Sequence, residues 1–211
     1  IIPKKDKPGI DIIVKPGTRN EAVHIPVIMT KSGLKDLVYN TFIIGEDSDV
    51  TVVAGCGIHN PGQGESQHDG IHEFFVKKGA RLKYVEKHYG QGEGQGKRVL
   101  NPTTVIHVES GAYAEMEMVQ IKGVDNTKRV TEAFIYEKGS LKIIERLLTH
   151  GEQEAISDVT MNLLGADSSG RVLARSVAQD DSRQVFRAAL VGKHRSNGHV
   201  ECDSIIMGKA Q

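Results

Sequence analysis

Residues 55–75 read GCGIHNPGQGESQHDGIHEFF and gather Cys56, His59, His68, His72 and Glu73. Thiolate, imidazole and carboxylate all bind zinc or iron, so this segment could hold a metal. The spacing argues against it. In a strand, residues four apart share a face but stand about 13 Å from each other at ~3.3 Å per residue, too far for His68 and His72 to share one ion. A polar loop with dispersed histidines is the simpler reading. Cys56 itself, read back by twos, falls in line with Ala54, Val52 and Val50, which places it with the apolar set as a small buried group. The second cysteine lies in GHVECDSIIMG, residues 198–208. There Val200, Cys202, Ser204 and Ile206 share one face, and His199, Glu201, Asp203 and Ile205 share the other. Lys193, His194 and Arg195 just upstream would favour a thiolate at Cys202, whereas Glu201 and Asp203 would oppose it. No Ser–His–Asp or Cys–His order in the chain argues for nucleophilic hydrolysis.

The loop GQGEGQGKR (90–98) invites a phosphate-binding interpretation that its details refuse. A P-loop needs Gly-Lys followed by Ser or Thr, and a helix whose N-terminus holds the phosphate. Here Gly96-Lys97 is followed by Arg98, the position five before Gly96 is Gln91, and a strand comes next. The loop reads as a flexible surface segment, and no nucleotide is expected to bind this chain directly.

The elements that must carry these residues repeat. Charged corners recur as KKGA (77–80), ESGA (109–112), EKGS (137–140), ADSSG (166–170) and RSNG (195–198), and EDSD (46–49) continues the rhythm without glycine. Their glycines, Gly79, Gly111, Gly139, Gly170 and Gly198, lie 32, 28, 31 and 28 residues apart. Between corners the pattern has period two, as in Ala114, Met116 and Met118 against Tyr113, Glu115 and Glu117. Each period therefore holds two strands, one tight corner and one looser loop, and the chain is all-β. An antiparallel sandwich or barrel and a β-solenoid both fit. The near-constant period favours the solenoid.

At 211 residues the chain fits one domain. Lys+Arg and Asp+Glu are both 27, so no global field draws nucleic acid or an anionic membrane. No apolar run approaches the ~18 residues needed to span a bilayer. Two cysteines 146 positions apart suit reduced thiols in a cytoplasmic protein better than a disulfide scaffold. The opening on Ile1 suggests a portion of something longer.

GHVECDSIIMG with the KHRSN corner before it, DVTVVAGCGIHN (49–60) and QHDGIHEFFVKKGARLKYVEKHY (67–89) together resemble the SufB/SufD family of iron–sulfur cluster assembly scaffolds. The resemblance covers nearly the whole chain, and the two cysteines make it more similar to SufB. It implies a right-handed parallel β-helix spanning residues 1–211, with the family's flanking helical regions outside this sequence. It also implies pairing with a second SufB/SufD-type subunit, a sulfur donor protein, and an ABC-type ATPase partner, SufC, that supplies the nucleotide chemistry. By matching position, Cys202 would be sulfur acceptor and ligand to a transient iron–sulfur cluster, and Cys56 an internal sulfur relay. His199 and Glu201 are auxiliary ligand candidates by proximity in sequence. Positions that are basic in some SufB tunnels fall at Ile28 and Val105.

A cluster wants four ligands, mostly thiolates, and two distant cysteines cannot enclose one. The remainder must come from other side chains or from a partner, as suits a scaffold rather than an enzyme. Two other functions compete. One is a cupin-like metalloenzyme built on His68, His72 and Glu73. The other is a β-solenoid acting on polysaccharide, for which 5% aromatic content without Trp is a poor endowment.

Overall fold

The computed structural model describes residues 1–211, and all of its regular structure is β. The chain winds between two sheets, laying one strand on each in turn. The first sheet takes β1 (Ile2–Pro3), β2 (Ile10–Val14), β4 (Lys35–Ile44), β6 (Ser66–Val76), the short pair β8 (Arg98–Leu100) and β9 (Thr103–Val108), β11 (Asn126–Ile135), β13 (Glu154–Leu163) and β15 (Arg183–Gly192). The second takes β3 (Arg19–Met29), β5 (Asp49–His59), β7 (Arg81–Gln91), β10 (Tyr113–Lys122), β12 (Ser140–Thr149), β14 (Ser168–Ala178) and β16 (Ser196–Ile206). Apart from the antiparallel β1–β2 contact, every pairing is parallel. This is the β-solenoid: each strand pairs with the strand one coil away, not with its chain neighbour.

Parallel in-register pairing stacks like positions, and the core follows from that. On the second sheet Val52, Tyr84, Met116, Ile143 and Val172 form one inward column. On the first, Phe42 and Phe74 stack with ring centroids 4.3 Å apart and planes at 8°. A dry cluster of 25 buried residues, including Ile44, Leu82, Val108 and Leu141, fills the half of the interior beside the tight corners. Beside the looser loops the interior is different. A small apolar group there (Met29, Cys56, Ile58, Leu100, Val124) borders buried His68, His72, Glu86, His88 and Arg129.

The corners are tied to one another. Asp47, Gly79, Gly111, Lys138 and Asp167 each donate a backbone hydrogen bond to a carbonyl of the next corner, at 2.8–3.2 Å. These five residues also carry the positive φ that turns the chain, between 53° and 68°. Glycine supplies it in only two of them. At the later corners Lys138 and Asp167 take that conformation, and Gly170 and Gly198 lie inside strands instead. A Cβ there would meet Met161 Sδ or Leu190 Cδ2 at 2.8 Å.

The Gly-rich loop also departs from expectation. Its alternate glycines are packed on neighbouring backbone, so it is a built surface rather than a slack one. A Cβ would come within 2.3 Å of Asn60 O at Gly92, 2.2 Å of Gly62 O at Gly94 and 2.1 Å of Gly64 O at Gly96. Only glycine lets main chain approach main chain that closely.

Candidate functional site

Cys202 sits on β16, the last strand of the second sheet, whose outer edge has no partner strand. The register runs Ala54, Glu86, Met118, Glu145, Ala174, Cys202, so its side chain belongs to an inward column at the uncapped end of the solenoid. It is exposed there. Cys202 lines a small cavity of about 70 Å³ with Glu145, Ser157, Arg175, Gln184 and Phe186.

His199 and Glu201 take the opposite face of β16. Glu201 is paired with Arg175 and with Arg171 (3.5 Å), and His199 Nε2 lies 3.3 Å from Glu201 Oε2. Hydrogen bonds from Arg175, then from His199, hold the Glu201 carboxyl below its ordinary range. The structure therefore does not bring these two candidates together with Cys202. Strand alternation separates residues that sequence adjacency had grouped.

Cys56 occupies the neighbouring inward column, Val27, Cys56, His88, Gln120, Leu147, Ser176, Ser204. It is buried, and its thiol is pushed up to about 12 by burial and then by the nearby Glu86 charge. Five strand spacings separate the rungs of Cys56 and Cys202, roughly 24 Å at ~4.8 Å each.

Polar groups fill that distance. Arg129, from the first sheet, donates to Glu86 Oε2 at 2.6 Å and to His88 Nδ1 at 3.3 Å. Because a guanidinium only donates, His88 Nδ1 must be the acceptor. Burial opposes the Glu86 charge, but His88 and Arg129 outweigh it and hold the carboxyl well below the usual range. Farther along, Ser157 Oγ reaches both carboxylate oxygens of Glu145 at 2.9 and 2.8 Å. Burial raises the Glu145 pKa, with Arg129 and Ser157 offsetting only part of the effect. Glu145 and Ser157 line both the Cys202 cavity and a second one that reaches Arg129. Cys56, His68, His72, Glu86 and His88 line a third. A file of buried polar side chains thus runs inside the solenoid from one cysteine to the other. Sequence reading missed Arg129, Glu86 and Glu145, although charged residues at inward-facing parity were the available signal. Ile28 is exposed and Val105 faces outward, so the interior basic group is Arg129.

His68 and His72 are closer at their tips than their strand spacing implied. Both rings lean over Gly70, and a Cβ there would sit 3.1 Å from His72 Nε2 and 3.5 Å from His68 Nε2. Glu73 points to the other face of β6, so the cupin-like trio does not converge. No group of three or more His, Cys, Asp or Glu side chains is arranged to hold a metal ion.

The fold and site together define a parallel β-solenoid with one thiol at its last strand and another in a polar interior. Residues 28–210 match the family model described as SUF system FeS cluster assembly, SufBD core domain, and the chain belongs to that family. It is 26% identical over 211 residues to an iron–sulfur cluster assembly SufBD family protein of Archaeoglobus fulgidus, covering 98% of this chain and 54% of that protein. To a protein of the same description from Methanothermobacter thermautotrophicus it is 23% identical over 203 residues, covering 94% and 48%. The chain spans about half the length of these curated relatives.

Proposed function

We propose that this chain is the β-solenoid scaffold on which sulfur and iron are assembled into a cluster at Cys202, in the cytoplasm, with sulfur entering from a donor protein through Cys56. The observation that carries the reading is the position of Cys202: an exposed thiol in an inward column at an open strand edge, joined to Cys56 by buried polar groups. A lone thiolate cannot complete a cluster's ligand set, so the remaining ligands come from a second SufB/SufD-type subunit across that edge. Under-ligation suits a scaffold that must release what it builds. The nucleotide chemistry belongs to an ABC-type ATPase partner of the SufC kind, which acts by preferring one arrangement of the assembly.

Anaerobic reconstitution with ferrous iron and sulfide tests this. The wild-type chain should develop a visible-range sulfur-to-iron charge-transfer band, and Cys202→Ser should abolish it. Cys56→Ser should keep the band, because free sulfide bypasses the relay. A band of equal strength in Cys202→Ser would overturn the assignment.

A further inference from the structure

His68 holds an unexplained lone pair. Its Nδ1 lies 2.9 Å from Asp36 Oδ2, and in the neutral ring an Nδ1 that donates to that carboxylate leaves Nε2 as an acceptor. That Nε2 is buried and has no hydrogen-bond partner. It faces the space above Gly70 instead, a gap too small to hold a water, whose lining includes Cys56. An unpaired buried acceptor is unfavourable and calls for an explanation.

The groups around the void leave His68 as the available base. His72 Nδ1 donates to the Tyr84 hydroxyl at 3.1 Å, which in turn donates to Glu86 Oε1 at 3.0 Å. Burial lowers the His72 pKa to about 4, so its own lone pair is a weak proton acceptor. Glu86 is committed to Arg129, and His88 Nδ1 also faces Arg129. Meanwhile Cys56, a neutral thiol in this setting, needs a base before it can attack anything. A nucleophile, a base beside it and a carboxylate orienting that base is the arrangement of activated nucleophiles in general. Here Cys56 comes from β5, His68 from β6 and Asp36 from β4.

Building on the relay reading above, we propose that His68 is the proton acceptor that activates Cys56 toward a persulfide, and that Asp36 positions it. As the Cys56 Sγ–H proton moves to His68 Nε2, Sγ bonds the outer sulfur of a donor R–S–SH. The donor's S–S bond breaks, and the leaving R–S⁻ takes the proton back from His68. One S–S bond forms and one breaks, giving Cys56–S–SH and R–SH, with no outside oxidant or reductant.

The test uses the full chain carrying Cys202→Ser, so that only Cys56 can load, a small alkyl persulfide as donor, and intact mass to follow the gain of one sulfur atom. With His68 present, loading should depend on pH less steeply than ionisation of a bare thiol requires. His68→Gln should slow it about 10²-fold near neutrality. Its rate should then climb about tenfold per pH unit, following ionisation of the bare thiol. Asp36→Asn, at a partly exposed position, should move the profile toward that of His68→Gln. Rates and slopes in both His68→Gln and Asp36→Asn equal to those of the parent chain would overturn the proposal and leave His68 as a structural residue. No loading in the parent chain at all would instead remove the relay role of Cys56, and this inference with it.

Discussion

A neutral imidazole walled in by aromatic rings ties this protein's stability to pH. His72 is buried among Phe42, Phe74 and Tyr84, with ring centroids 5.8–6.5 Å away. Burial depresses its pKa to about 4 from 6.5, against the pull of Glu86 in the other direction. Above pH 6.5 neither folded nor unfolded His72 is protonated. As pH falls from 6.5 toward 4 only the unfolded chain takes up the proton, so stability is lost across that window and levels off below it. The full effect is about 3 kcal/mol. Glu86, whose carboxyl is held low, adds its own loss from about pH 4.5 downward. Denaturant unfolding at stepped pH should show the 6.5-to-4 decline in wild type and a flatter profile in His72→Phe; identical profiles would refute this origin. At this scale the sequence revealed parity and little more. Alternation by two put Cys56 inward and set Cys202 apart from the polar faces of its neighbours. The pairing of His68 with Asp36 was hidden, because those residues are 32 positions apart and meet only once the register of β4 on β6 is known.

Along each element, the recurrence of corners was legible and the reason for individual glycines was not. A period near 30 residues follows from two strands and two turns per coil, so counting corners gave the architecture. Which residue turns the chain depends on local hydrogen bonding, and Lys138 and Asp167 accept left-handed geometry where glycine was expected. The Gly-rich loop shows the opposite error: composition suggested looseness, whereas close backbone contact between coils demands the glycines. Gly94 tests this cleanly, since its φ is not among the positive ones and only the approach to Gly62 forbids a side chain. Gly94→Ala should therefore lower stability by about 1–3 kcal/mol, as overpacking does. An effect within about 0.5 kcal/mol, typical of a free surface position, would show the contact to be dispensable.

Residues 1–211 form a stack whose last strand on the second sheet, β16, has an unpaired outer edge. Met207 N donates to Ala178 O, so with the alternation of a parallel ladder the amides of Cys202, Ser204 and Ile206 point away from β14 toward the open edge. Val200, Ile205, Ile206 and Met207 are exposed at the same end. An unpaired, partly apolar strand edge is a template for another strand, and here it carries the thiol as well. If cluster assembly needs two chains meeting at that edge, its yield must depend on encounter and not on the single chain. Iron bound per chain after reconstitution should then fall on dilution in parallel with dimer content measured by sedimentation. Ser204→Pro removes one edge amide, leaves the β14 ladder and Cys202 in place, and should depress dimer and bound iron together. Iron stoichiometry that ignores both dilution and Ser204→Pro would mean that one chain supplies every ligand, against a structure in which no three donors converge.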